Sequence, residues 1–200
     1  MDTSILDKAI VFAVKAHAGT ARRGKTFPYI VHPMEAVEIV ATMTSDQELL
    51  AAAVLHDTVE DTEVSLDDIR REFGPRVAKL VEEESDVLME GVSEEDSWHS
   101  RKQAAIDRLS HASRDAKIVA LGDKLSNARI IYRDFVQKGD ELWKIFHVTD
   151  VKEHEWHYRG LVTALKDLKG TFAYSEFEEL VDKIFAHSKK SYSSEFKMRK

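Results

Sequence analysis

Apolar residues recur along this chain mostly three and four positions apart, which is the repeat of one face of an α-helix and favours helices over alternating strands. Only three prolines and eight glycines interrupt the pattern, so the expected fold is all-α. The spacing predicts helices near 4–18, 33–43, 46–58, 65–73, 76–86, 94–112, 114–138, 151–168 and 175–188. Ser-x-x-Glu/Asp pairs, in which a serine hydroxyl and an acidic side chain satisfy the first free amides, mark several starts. These pairs are Ser4 with Asp7, Ser45 with Glu48, Ser65 with Asp68, Ser93 with Asp96 and Ser175 with Glu178. Gly74–Pro75 separates the fourth helix from the fifth. The basic stretch Gly19 to Tyr29 and the acidic stretch Glu82 to Asp96 lack apolar periodicity and read as loops, the latter as a solvated loop more than a lid. No internal repeat is visible.

Two hundred residues, 43% hydrophobic and 32% charged, suit one domain with a sizeable core. That domain is expected to have a core over 5–168, a C-terminal helix over 175–188 and a flexible tail over 189–200. The longest apolar run, Leu49 to Leu55, is far short of the ~20 residues of a membrane span. Asp2, Asp7 and Lys8 break up the first residues, which lack the pattern of a signal peptide, so the expected location is the cytoplasm. With no cysteine, disulfides and thiolate metal sites are excluded, and any metal must be held by nitrogen and oxygen. A net charge of −7 argues against nucleic acid and anionic membranes as partners, because both need a clustered basic surface. The oligomeric state is left open.

The most informative segment is Leu49-Leu-Ala-Ala-Ala-Val-Leu-His56-Asp57-Thr58-Val59-Glu60-Asp61-Thr62, where an apolar helix ends in four ionisable groups. If helical throughout, it stacks His56 below Glu60 and Asp57 below Asp61, two potential ligands beside two potential proton carriers. In Lys117-Ile-Val-Ala-Leu-Gly-Asp123-Lys124-Leu-Ser-Asn127 a carboxylate again follows a buried-looking run, with Asn127 one turn beyond Asp123. Alone, Asp123 reads as a capping residue. In Pro28-Tyr-Ile-Val-His32-Pro33 the proline suits a first helical turn and leaves His32 at its entrance. Two histidines and two aspartates make a nitrogen and oxygen set that fits manganese, iron or zinc.

These residues resemble the H…HD…D ligand series of HD-domain phosphohydrolases, and longer strings narrow the likeness. Phe12-Ala13-x-x-Ala16-His17-x-Gly19-x-x-Arg22-Arg23, Pro28-Tyr29-Ile30-x-His32-Pro33, His56-Asp57-x-x-Glu60-Asp61-Thr62, Phe73-Gly74 and Leu121-x-Asp123-Lys124-Leu125-x-Asn127 are similar to the hydrolase domain of RelA/SpoT proteins. The likeness runs over about residues 5 to 135 and continues weakly through Trp156-x-Tyr158. It implies an HD-domain helical bundle acting as a stand-alone alarmone hydrolase, since 200 residues leave no room for the synthetase domain that often follows. The implied reaction removes the 3′-pyrophosphate of ppGpp or pppGpp, giving GDP or GTP and pyrophosphate, with one divalent ion, manganese. The resemblance assigns the metal to His32, His56, Asp57 and Asp123 and catalysis to Glu60 and Asp61.

A metal balanced by two carboxylates leaves its site formally neutral, so an anionic nucleotide needs further cations. The candidates are Arg22, Arg23, Lys25, Lys102 and Lys124, with Asn127 placed to bond the ribose or base. By resemblance Arg22 and Arg23 face the nucleotide and Lys102 lies near the diphosphate. The chain departs from the family at Thr20, where glutamine is common, and in the very basic loop 21–27; base recognition is what these departures affect. The rival readings are a phosphohydrolase of another nucleotide, such as an NADPH phosphatase or a nucleotide pyrophosphohydrolase, and a metal-bound alarmone-binding protein without turnover. Glu60 and Asp61 beside His56 and Asp57 weigh against the last. A second histidine group, His147, His154 and His157, reads as surface and core-edge residues more than as another metal site. Everything depends on His32 and Asp123 reaching the His56-Asp57 pair.

Overall fold

The structure is a computed structural model that describes residues 2–85 and 94–186. Among these residues the chain forms α1 (Ser4–Ala16), α2 (Val31–Ala41), α3 (Gln47–Leu55), a single turn α4 (Thr58–Asp61), α5 (Leu66–Phe73), α6 (Pro75–Glu84), α7 (Glu94–His111), α8 (Arg114–Lys138), α9 (Val151–Ala164) and α10 (Phe172–Ile184), with 3₁₀ turns at Gly139–Ile145 and Lys166–Leu168. No strand occurs among the described residues, and the all-α expectation holds.

The run from Leu49 to Leu55 is buried at every position, so α3 is apolar all round because it runs through the core. Each leucine or valine enclosed there contributes roughly 1.5–3 kcal/mol over its exposed state. α8 is the other axis of the fold: it is buried from Ala116 to Asp123 and packs against α2, α3, α6 and α10. α1 lies on α3, and α7 pairs with α9. No described helix is long and apolar enough to cross a membrane.

Several predicted boundaries move, for local reasons. The helix expected over 46–58 stops at Leu55, because its last carbonyls are taken by side chains. His56 Nδ1 lies 2.8 Å from the Ala53 oxygen, and Thr58 Oγ1 donates to the Leu55 oxygen at 2.7 Å. The chain turns there and resumes as α4, so the continuous stack of His56 under Glu60 is replaced by a bend. Asp46 rather than Ser45 caps α3, accepting from the Glu48 amide at 3.0 Å. Thr3 precedes α1 in place of Ser4, bonding Asp7 at 3.0 Å. Thr171 caps α10 in place of Ser175, so that helix begins at Phe172. The stretch expected as one helix over 151–168 ends at Ala164 and tightens into a 3₁₀ turn. Ser65 forms the predicted capping box with Asp68, and α8 has the predicted limits, capped by Ser113. α6 ends at Glu84, inside the predicted 76–86 and within the acidic stretch that begins at Glu82. The part of that stretch over 86–93, the cap at Ser93 and the tail over 189–200 lie outside the described residues.

The basic stretch 19–29 is a loop folded on itself. Tyr29 N donates to the Thr20 oxygen at 2.8 Å and Arg22 N to the Phe27 oxygen at 3.3 Å. Gly19 and Gly24 supply its left-handed turns at φ 79° and 68°.

Where α2 crosses α8 the contact is backbone-close. A Cβ on Gly122 would lie 2.7 Å from Val40 Cγ2 and 2.9 Å from the Ala36 oxygen, so only glycine fits. Gly122→Ala is expected to force the two helices apart and cost about 1–3 kcal/mol, read as a lower Tm. An unchanged Tm would show that the crossing is not that tight.

Candidate metal centre

The crossing at Gly122 determines what meets next to it. His32 is the second residue of α2, Asp123 follows Gly122 on α8, and His56-Asp57 form the bend after α3. His32 Nε2 lies 3.0 Å from Asp123 Oδ1 and 3.5 Å from Asp57 Oδ2. His56 Nε2 lies 2.9 Å from Asp57 Oδ2 and 3.5 Å from Asp123 Oδ1. The two imidazoles thus aim one nitrogen each at the same pair of carboxylates. Their other nitrogens are engaged, His32 Nδ1 with Ser126 Oγ at 2.8 Å and His56 Nδ1 with the Ala53 oxygen. Both Nε2 atoms are buried without a hydrogen-bond partner. Enclosed polar atoms left in that state are costly unless something else binds them. His32, His56 and Asp57 offer ligand atoms all within 4.8 Å of one another, and no second such group occurs among the described residues. This donor set fits a divalent cation that accepts nitrogen and oxygen.

The charges fit a cation as well. Burial favours the neutral carboxyl at Asp57 and Asp123. At Asp57 the His56 imidazole outweighs it, and at Asp123 the Lys124 ammonium and both imidazoles do, so both groups are held below the ordinary carboxylate range. Burial disfavours charge on His56 too, but Asp57 and Asp123 reverse the balance and raise its pKa well above the usual imidazole value. For His32 burial prevails and the pKa falls.

All the predicted site residues except His56 line one cavity of about 410 Å³, a volume suited to a small ligand. His56 stands just behind Asp57. Glu60 and Asp61 are exposed at the cavity wall on α4, and Arg22, Arg23, Lys25, Lys102, Lys124 and Asn127 surround it. Arg22, Asn127, Lys25 and Lys124 among these are tied to neighbours. Arg22 bonds Asn127 Oδ1 while its guanidinium lies 5.0 Å from the centre of the Tyr29 ring. Lys25 pairs with Asp134. Lys124 bridges Asp123 at 2.6 Å and Glu84 at 3.3 Å.

Several further residues line the cavity, two of them from the second histidine group. Tyr29 donates its hydroxyl to Asp57 Oδ2. Glu84 presents a side chain only 5% exposed, and burial raises its pKa although Lys124 opposes the shift. His157 enters the cavity beside Trp98, its Nδ1 buried and without a hydrogen bond. Burial, with Lys102 and Lys124, keeps that ring neutral. His154 also lines the cavity, its Nε2 engaged with the Val148 oxygen and its ring stacked on Trp143.

A helical scaffold that gathers His, His-Asp and Asp at one wall of a polar cavity is the arrangement of an HD-domain protein, and the HD domain family model matches residues 9–147. A human protein named guanosine-3′,5′-bis(diphosphate) 3′-pyrophosphohydrolase MESH1 is 33% identical over 89% of this chain and 91% of its own length. The Danio rerio protein of that name is 30% identical over 92% and 93%. Among solved structures, one described as a metazoan ortholog of SpoT that hydrolyses ppGpp superposes with a TM-score of 0.69 at 26% identity, covering 94% of this chain and 97% of the other. A Listeria monocytogenes EGD-e protein superposes at 0.68, with 27% identity over 80% of this chain and 99% of its own. The chain belongs to the HD-domain family, in the branch of the guanosine-3′,5′-bis(diphosphate) 3′-pyrophosphohydrolases.

Proposed function

We propose that this chain hydrolyses the 3′-pyrophosphate of ppGpp and pppGpp, with one Mn2+ held by His32, His56, Asp57 and Asp123. The observation that carries this reading is the pair of buried, unpartnered Nε2 atoms facing two carboxylates beside a cation-lined cavity. The relatives named for this reaction, matched along nearly their whole length, supply the substrate. A divalent ion in this position lowers the pKa of a water and neutralises charge on phosphoryl oxygens.

The chain's own residues do the rest. Glu60 and Asp61, solvent-facing on α4, are placed to orient water and hold its proton. Lys25 and Lys124 have their charges matched by Asp134 and by Asp123 with Glu84, so they act as fixed hydrogen-bond donors more than as unbalanced positive charge. Arg22, held over Tyr29 and bonded to Asn127, offers a flat cationic surface for a base and donors for phosphate. Lys102 serves the diphosphate. We place the activity in a single domain working in the cytoplasm, on a small nucleotide and not on nucleic acid or membrane.

Purified protein with Mn2+ and ppGpp should release pyrophosphate and leave GDP. Comparison of kcat/KM with pppGpp, NADPH and other nucleotide pyrophosphates should place the guanosine alarmones first. Absence of turnover on them, or a higher value for NADPH, removes this substrate.

A further inference from the structure

We infer that the C-terminal helix α10 takes part in holding the metal ligand His32, through an unbroken line of polar contacts from Glu176 to Arg129, Glu35, Ser126 and the His32 ring, in which Ser126 and Glu35 are positioning residues. The inference rests on the metal site proposed above and not on the identity of the nucleotide.

A neutral imidazole carries one N–H, and a ring that binds metal through Nε2 must keep its hydrogen on Nδ1. For His32 the structure shows what fixes that choice. Ser126 Oγ lies 2.8 Å from His32 Nδ1 and donates to Glu35 Oε2 at 2.7 Å. A serine hydroxyl has one hydrogen and a carboxylate can only accept, so that hydrogen belongs to Glu35. The hydroxyl must then receive Nδ1–H from His32, which leaves Nε2 with its lone pair toward Asp123 and Asp57. Without Glu35 the hydroxyl is able to turn and donate to Nδ1, moving the ring hydrogen to the nitrogen that has to face the metal. Ser126 is fully buried and His32 is 1% exposed, so no bulk water substitutes for either contact.

Glu35 is in turn held by Arg129, whose Nη1 lies 3.3 Å from Oε1. Arg129 is fixed by a two-pronged bond to Glu176 of α10, Nε to Oε1 at 2.7 Å and Nη2 to Oε2 at 2.8 Å, a geometry that orients the guanidinium as well as pairing its charge. Arg133 at 3.9 Å from Glu35 and Glu38 at 3.7 Å from Arg129 complete the charged surroundings. The other imidazole has no such dependence, since His56 Nδ1 bonds a main-chain carbonyl of its own helix. Carboxylate-backed histidines are a recurrent way to fix the orientation and basicity of a ligand. The family match ends at residue 147, so Glu176 acts from outside the matched region.

The test measures Mn2+ binding by competition with a chelating dye, without nucleotide, on the full chain. Ser126→Ala and Glu35→Ala should each weaken Mn2+ binding about 10- to 100-fold, and Glu176→Ala should cause a smaller loss in the same direction. Glu38→Gln, at a 68% exposed side chain beside the same arginine, should bind Mn2+ like the unaltered protein. Ring 15N shifts of Zn2+-loaded protein should show His32 with its hydrogen on Nδ1, and Ser126→Ala should disturb the His32 signals while sparing His56. Folded Ser126→Ala protein with unaltered Mn2+ affinity and ring shifts would overturn the inference, even if Glu35→Ala failed to fold. Protein that binds Mn2+ as described yet leaves ppGpp intact would remove the proposed substrate and leave this inference standing. Unaltered protein with no affinity for Mn2+ would overturn the site itself.

Discussion

His56→Ala should reduce Mn2+-dependent kcat/KM at least about 10³-fold, ~4 kcal/mol of transition-state stabilisation, because it removes one of the four proposed ligands. Its Nε2 stands between Asp57 and Asp123, while Nδ1 is fixed to the Ala53 oxygen. Deleting the ring leaves the buried Asp123 and the partly buried Asp57 with one imidazole fewer to balance them. The same ring makes metal binding pH-dependent, and the sign follows from its shift. The neighbouring carboxylates raise the metal-free pKa of His56 above the usual imidazole value, so the range over which an incoming cation must displace its proton moves upward. Mn2+ affinity should therefore fall as pH drops, and on raising pH it should keep rising beyond the ordinary imidazole range near pH ~6.5. His32, whose pKa is lowered, adds no dependence there. Pyrophosphate release and dye competition across pH measure both effects. An affinity that levels off at about pH 6.5 would contradict the assignment of the proton to His56.

Glu60→Gln should act differently, lowering kcat by about 10²–10⁴-fold while leaving Mn2+ affinity and Tm unchanged. Glu60 is exposed on the short α4 turn and belongs to the cavity wall, outside the four-ligand set. An amide keeps the shape but turns one acceptor oxygen into a donor and cannot take up a proton. Parallel measurements on Asp61→Asn apportion the role between the two neighbours. Full turnover in Glu60→Gln would take Glu60 out of the proton-handling step.

How much of this was legible in the sequence can be judged residue by residue. The four proposed ligands could be picked out because short motifs carry them and the periodicity placed each on or beside a helix. That His32 meets Asp123 depends on the closeness of α2 and α8 at Gly122, which no local spacing encodes. The serine capping pattern located helix starts only to within a few residues, since Asp46 and Thr171 take the first exposed amides of α3 and α10 and Thr3 stands ahead of Ser4 at α1. The end of α3 was misplaced because His56 and Thr58 bond its final carbonyls, and that depends on side-chain rotamers. Tyr29 and Glu84 could not be given a role because theirs lie in contacts with residues distant in the chain, and His157, read as a surface or core-edge histidine, lines the cavity for the same reason. Lys124 was read as a candidate cationic partner for the substrate, and the fold sets it beside two carboxylates that its place in the sequence does not reveal.

The proposed ligands are drawn from α2, the bend after α3, and α8, elements that have no covalent link other than the chain itself. An ion gripping all three would act as a removable staple, favouring the native state by roughly 2.7 kcal/mol when present at a hundred times its dissociation constant. Starvation for that ion would then do more than slow hydrolysis. It would expose the chain to proteases more often, so the cell's store of the enzyme would decline together with its metal supply.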